Sequence, residues 1–348
     1  MNEQIDPIAD LHQDMSAIAQ ETKINLANRE VPLGSILPMY DDPRHTKTFS
    51  SDAESVRLAE VRMLLTNMFP NPENDFAEEI AWHQGFYDEL FKDRPDVFAK
   101  TGTQAELASA LENPAKTASI LSLEGIYNWD GNLNVLDTLW TNGVRSIIPV
   151  WNNDSEIATG HKTSESHGLT EKGRQLIKTA DELGFLLDFS HASPRTAMDA
   201  FGIIKNRPPF ISHTGSRTIA PKETRCTPDD IAIEVAQRGG LIGIMPAKWM
   251  VEAEEDKATV GSVVNSMEHY MRLFETAGVK DGYKRLALGT DYDGMGPAST
   301  IPGLELVTQI GPALSSEMAR RGYEQEVIDS ILLKNAVELF QKNLPHVA

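Results

Sequence analysis

Eight short apolar runs, each closed by turn residues, recur along this chain, and between most of them lie longer segments with helical periodicity. The runs are IADLH (8–12), SILPMY (35–40), SILSLEG (119–125), RSIIPVW (145–151), FLLDFSH (185–191), PFISHT (209–214), GLIGIMP (240–246) and LALGTDYDG (286–294). Strands that alternate with helices pair in parallel through right-handed crossovers, and eight such units close into a (β/α)₈ barrel of the TIM type. The 348 residues contain no low-complexity linker and no internal repeat. A single domain over residues 1–348 is therefore expected. The second run carries Pro38, an unusual residue for a central strand.

Helices are expected between the runs. Residues 52–69 carry an apolar stripe and an acidic first turn, suited to the positive end of a helix dipole. Residues 169–184 open at Thr170 and stop at Gly184, residues 193–204 open on Ser193 and Pro194, and residues 227–240 repeat the pattern with Pro228 in the first turn. Two more helices are expected around 311–321 and 325–342, and the stretch between 41 and 118 is expected to add helices to the barrel rim.

Charge narrows the range of partners. Lys plus Arg total 32 against 51 Asp plus Glu, a formal charge of -19, so the surface field repels nucleic acid and anionic membranes. Cys226 is the only cysteine, which rules out an intrachain disulfide and a thiolate metal cluster. Any metal must be held by imidazole and carboxylate. The segment MNEQIDPIADLHQDMS has neither a basic nor an apolar leader region, and no stretch approaches the roughly 18 apolar residues of a membrane span, so a cytoplasmic location is expected.

The chemistry lies at the ends of the runs. His12 and Asp14 form an H-x-D after the first run, and in extended chain residues two apart face the same side and can share a metal. Glu124 closes the third run, and its two oxygens can bridge two cations. His191 and His213 close the fifth and sixth. Each of these is unspecific alone. Barrel enzymes, however, place their active sites at the carboxyl ends of the strands, and here ligand-capable residues close runs one, three, five and six. Three histidines and two carboxylates suit Zn²⁺ and similar divalent ions, with a carboxylate bridge holding a pair roughly 3.5 to 4 Å apart. Asp291, after the eighth run, completes the ring as a group able to take a proton from water and return it to a leaving amine.

These residues resemble the membrane dipeptidase (renal dipeptidase) family of zinc peptidases, family M19, in its bacterial form. The resemblance runs through Asp10 to Asp14, Leu123-Glu124-Gly125, Gly143 to Arg145, Gly168 to Thr170, Asp188 to His191, Ser212-His213, Arg225 to Asp230, Gly239 to Ile242 and Gly289 to Gly294. It implies a metal-dependent hydrolase barrel with two Zn²⁺, or other divalent ions. One would be bound by His12 and Asp14, the other by His191 and His213, with Glu124 as the bridge. A hydroxide held between the ions would attack the peptide carbonyl, Asp291 would manage the proton, and Arg225 would bind the substrate carboxylate through a bidentate guanidinium. A homodimer is also implied.

One departure bears on substrate. Renal-type members carry a histidine after the fourth strand that contacts the scissile carbonyl, whereas this chain has Trp151, Asn152 and Asn153 there. Trp-Asn at this place marks many bacterial members, and Trp151 and Asn152 are expected to line the substrate site. An indole N–H can donate one hydrogen bond. His161 or His167, on the same loop, would otherwise lean into the site or stay exposed. The leading expectation is a di-zinc dipeptidase acting on L,L and L,D dipeptides. The alternatives are a di-zinc amidohydrolase of N-acyl amino acids or other small amides, and a non-catalytic metal-binding protein.

Overall fold

The structure is a computed structural model that describes residues 6–27, 32–39, 42–164 and 166–347. Eight parallel strands form its centre: β1 (Ile8–Gln13), β2 (Val61–Met68), β3 (Thr117–Glu124), β4 (Val144–Ile148), β5 (Leu186–Leu187), β6 (Ile211–Thr214), β7 (Ile242–Ile244) and β8 (Leu286–Leu288). From β1 to β5 and from β6 to β8 each strand pairs with the next in the chain, and β1 pairs with β8. The remaining gap, between β5 and β6, is bridged where Phe210 donates to Leu187 O (3.1 Å) and Phe189 donates to Phe210 O (2.9 Å). The ring is thereby closed into the expected (β/α)₈ barrel.

Seven of the eight runs supply barrel strands, and the second does not. Ile36–Met39 pairs antiparallel with Asp42–Thr48 in a separate hairpin, which is compatible with Pro38; Tyr40, the last residue of that run, lies outside the described residues. The true second strand is Val61–Met68, inside the segment expected to be one helix over 52–69. That segment is a short helix, Ala53–Leu58, held by a reciprocal Asp52/Ser55 cap, followed by Glu60 at φ 51° and then the strand. The physical reason is burial on both faces. Six of the last seven residues of β2, and Val61, are buried, polar Thr66 and Asn67 among them, so the strand shows no alternation of apolar and polar residues and loses the period-2 signature. The stretch from 41 to 118 thus contributes a barrel strand as well as the rim helices Phe76–Asp93 and Gln104–Glu112 and a short strand, Phe98–Lys100, beside β3.

The other helices lie near their expected places. Thr170 accepts from Gly173 N to open Glu171–Leu183, and Gly184 at φ 109° ends it. Ser193 caps Pro194–Phe201 through Thr196 N, and Asp229–Gln237 follows Pro228. Val307–Arg320 begins earlier than expected and accommodates Pro312 in its interior. The last helical region is interrupted by a π-turn, Ser330–Lys334, between Gln325–Asp329 and Asn335–Asn343. Among the described residues no helix is long and apolar enough to cross a membrane.

Candidate metal centre

Buried carboxylates stitch the strand ends before any ligand is placed. Asp10 on β1 accepts from Thr290 N (2.8 Å), Thr290 Oγ1 (2.6 Å), His12 N (3.2 Å) and Gln13 Nε2 (2.9 Å), which ties β1 to the segment after β8. Asp188 does the same for β5 and β6, accepting from Ser190 N (2.9 Å), Ser190 Oγ (2.8 Å) and Ser212 N (3.0 Å). Burial raises the pKa of both, and these hydrogen bonds oppose the rise. Each acid thus fixes the backbone beside a histidine.

His12 and Asp14 at β1, Glu124 at β3, His191 after β5, His213 on β6 and Asp291 after β8 converge on one centre. His12 Nε2 lies 3.2 Å from Glu124 Oε2, 3.7 Å from Asp14 Oδ1 and 3.9 Å from Asp291 Oδ1. His191 Nε2 lies 2.9 Å from Glu124 Oε1 and 3.0 Å from His213 Nε2, and His213 Nε2 is 3.7 Å from Glu124 Oε1. Glu124 therefore faces one group with each oxygen. Asp14 precedes the helix Met15–Thr22 at the capping position, but its side chain makes no cap hydrogen bond, being turned to the centre. His191 (φ 65°) and Asp291 (φ 57°) hold the left-handed conformation that non-glycine residues seldom adopt, and such backbone concentrates at functional sites. Gly294 has no alternative: a Cβ there would lie 2.3 Å from Asp291 Oδ1 and 2.4 Å from Asp14 Oδ2.

The donor set fits divalent cations. Both ring nitrogens of His12 are fully buried and lack a hydrogen-bond partner among the described residues, although carboxylate oxygens surround Nε2. His191 and His213 point their Nε2 atoms at each other, an arrangement an ion between them would satisfy. Burial favours the neutral form of His12, yet Glu124, Asp14 and Asp291 outweigh it and hold its pKa at about 10. Burial, then Asp14, pushes Asp291 well above the usual carboxylate range. Glu124 goes the other way: burial opposes its ionisation, but His12 and His191 hold it well below that range. Burial and then Arg225 lower His191 to about 3, and burial and then His12 take His213 far below its ordinary value. These are the residue types and burial that Zn²⁺, Mn²⁺ or Co²⁺ accept.

A cavity of about 540 Å³ opens onto this centre and is also lined by Trp151, Asn152, His161 and Arg225. Arg225 is 5% exposed; its Nη2 donates to His213 O (2.9 Å), and no carboxylate pairs with it among the described residues. Trp151 sets its ring edge-on to Phe69, 4.9 Å between centroids, and its backbone N donates to Tyr127 Oη at 2.6 Å. His161 is not the exposed loop residue expected as one alternative: it is half-buried, beside Asn152 and Thr224. His167 does remain at the surface, near Asp154.

Two features were not anticipated. Asn67, on β2, donates through Nδ2 to both Asp14 Oδ1 (2.7 Å) and Glu124 Oε2 (2.8 Å), linking the two carboxylates. A buried ion pair, Lys47 with Glu21 at 2.9 Å, also lines the cavity. Asn67 had a weak signal, a polar residue just after the apolar Met63-Leu64-Leu65; Lys47 had none.

Barrel and strand-end site together define a (β/α)₈ protein of the metal-dependent hydrolase fold. Comparison with known proteins narrows that class. The chain belongs to the membrane dipeptidase family (peptidase family M19), whose model matches residues 5–344. It is 27% identical over 288 residues to "Dipeptidase tcpJ" of Claviceps purpurea, covering 78% of this chain and 64% of that protein. With an uncharacterized dipeptidase of Schizosaccharomyces pombe it shares 28% identity over 229 residues, 64% of this chain and 53% of that protein. The match thus spans between about half and two thirds of these curated relatives. Among solved structures, a Rhodobacter sphaeroides metallo peptidase liganded with a phosphinate mimic of L-Ala-D-Ala superposes with a TM-score of 0.81 at 18% identity, covering 98% of this chain and 100% of that one. The probable dipeptidase PvdM of Pseudomonas aeruginosa gives 0.79 at 14% identity, covering 98% and 96%.

Proposed function

We propose that this protein is a metal-dependent dipeptidase that hydrolyses L,L and L,D dipeptides. One observation carries the reading: Glu124 stands between a carboxylate-rich group and a pair of imidazoles, and an arginine with no ion-pair partner among the described residues lines the same cavity. His12 and Asp14 would hold one divalent ion, zinc by preference, and His191 and His213 a second, with Glu124 shared. When bound, the ions supply Lewis acidity and lower the pKa of water enough for it to attack an amide.

The chain's own groups supply the rest. Arg225 receives the carboxylate of a dipeptide, since a buried guanidinium without a counter-ion is a strong anion site. The capture sets the scissile bond over Glu124. Asp291, facing His12 at the same centre, is placed to accept a proton from the attacking water and pass it to the leaving amine, and its raised pKa suits transient protonation. Trp151 closes the cavity with an apolar wall against Phe69 and, with Asn152, borders the substrate. The family assignment and the dipeptidase names of relatives support the same chemistry.

The test is hydrolysis of L,L and L,D dipeptides beside matched N-acyl amino acids, with zinc-loaded and chelated protein. Release from dipeptides that chelation abolishes is expected. Activity confined to N-acyl amino acids would make the protein an amidohydrolase of small amides, and no metal-dependent activity would leave a metal-binding protein.

A further inference from the structure

Asn152 sits in an arrangement that fixes both ends of its amide. His161 Nε2 lies 2.7 Å from its Oδ1, and His191 Nδ1 lies 2.9 Å from the same oxygen. If His191 gives its Nε2 lone pair to a cation beside Glu124, its proton must be on Nδ1, and that N–H donates to Asn152. Thr224 Oγ1 stands 3.0 Å from His161 Nδ1, so Thr224 can donate there and leave His161 Nε2–H as the second donor to Oδ1. An oxygen that accepts from two imidazoles cannot be exchanged for the NH₂ group without placing donors against donors. The Nδ2 group is therefore directed away from both rings.

Nothing among the described residues uses that NH₂ group, although Asn152 is 8% exposed and lines the cavity with Glu124, His191 and Arg225. That group faces no acceptor among the described residues, so it is free to donate to a molecule bound in the cavity. The backbone around it is anchored. His161 N donates to His191 O (2.9 Å), Lys162 N donates to Asn152 O (2.9 Å), and Gly160 passes so close that a Cβ would lie 2.3 Å from Asn152 O.

Resting on the dipeptidase reading, we infer that Asn152 Nδ2 is the hydrogen-bond donor to the scissile carbonyl oxygen as it becomes an oxyanion, and that His161 is the positioning residue that aims it. The negative charge that develops on the carbonyl oxygen meets a donor already oriented by two imidazoles, so little reorganisation accompanies the attack. Thr224 sets His161, His161 and His191 set Asn152, and Asn152 in turn fixes the tautomer in which His191 offers a lone pair. One amide thus serves ligand orientation on one side and substrate on the other.

The test compares wild-type protein with Asn152→Asp, His161→Ala, His161→Gln and Trp151→Phe, reading metal content, kcat, KM and affinity for a phosphinate dipeptide mimic. Asp at 152 keeps an acceptor for both imidazoles and removes the donor. Wild-type metal content, a kcat lower by about 10²–10³-fold, little change in KM and a matching loss of phosphinate affinity are expected. His161→Ala should lower kcat less, and His161→Gln, which can still donate to Oδ1, should recover part of it. Wild-type protein that cleaves dipeptides while Asn152→Asp keeps its rate and its phosphinate affinity would overturn this inference alone. Should Trp151→Phe show the kcat loss in its place, the role passes to the indole N–H. Wild-type protein that neither cleaves dipeptides nor binds the phosphinate removes the dipeptidase reading and this inference with it.

Discussion

The two walls of the candidate metal centre are built from opposite chemistry. On the β8/β1 side, His12 is surrounded by Asp14, Asp291 and Glu124, and their charge holds a proton on it up to about 10 against burial. On the β5/β6 side, burial and the nearby Arg225 keep His191 neutral down to about 3, and His213 is held neutral by burial and His12. Without ions the first wall holds a proton that a cation would have to displace, whereas the imidazoles of the second are neutral and could ligate a cation by a change of tautomer alone. Glu124 belongs to both, one oxygen facing each side. An asymmetric pair of sites joined by one carboxylate is thus expected, with the acid-rich side more dependent on pH for its ion.

Breaking the junction should have the largest effect. Glu124→Gln replaces one carboxylate oxygen with an NH₂ group that cannot ligate, so both ions should be held more weakly and activity should fall by about 10³-fold or more. Metal analysis after dialysis, alongside dipeptide hydrolysis, checks this. Full activity with unchanged metal content would remove Glu124 from the centre.

Next come changes that separate the walls. Asp14→Asn weakens only the acid-rich side and His213→Ala only the imidazole side. Each should lower the bound metal by about one ion while the other is retained, with a loss of activity in both. Calorimetric titration of the apo variants reads the stoichiometry. If either change abolished all binding, the walls would have to be treated as one cooperative site.

Asn67 tests how the acid-rich side is held in shape. It donates to Asp14 and Glu124 together, and its replacement by Leu would leave a buried oxygen of each without that donor. Metal affinity should drop about 10–100-fold, the usual scale for a residue that orients ligands without binding the ion. An unchanged affinity would make Asn67 a packing residue only.

That residue also marks where the sequence could be read and where it could not. His12, Asp14, Glu124, His191, His213 and Asp291 close runs that do form barrel strands, so the rule that barrel sites gather at strand carboxyl ends was enough to bring them together. Asn67 is the penultimate residue of β2, a strand whose double-sided burial removes the alternation that marks a strand, and with the strand misplaced the residue near its end is concealed. Had Val61–Met68 been recognised, Asn67 would have occupied the same position as the other strand-end residues. His161 and Lys47 lie beyond such a rule, because they arrive from a loop and a hairpin whose paths depend on tertiary packing.

The smallest expected effect is on stability, and it isolates the imidazole wall in chelated protein. His191 titrates near 6.5 in an unfolded chain and at about 3 when folded, so between those values the unfolded state binds a proton that the folded state refuses. Stability from this residue is complete above about pH 6.5 and declines as pH falls toward 3, by at most about 1.4 kcal/mol per pH unit. For a chain of this length that is a few degrees of Tm per unit. His191→Gln has no proton to refuse, so its Tm should fall less steeply than wild type between pH 6.5 and the onset of acid unfolding. His12 has its shift in the other direction: between about pH 6.5 and 10 the native site retains a proton that the unfolded chain has already lost, so stability from this residue falls as pH rises through that window, and His12→Gln should flatten the profile on the alkaline side. Thermal scans of the three chelated proteins across pH decide the matter: if the two variants flatten the same limb, the opposition between the walls is wrong, whatever the ions do when they are restored.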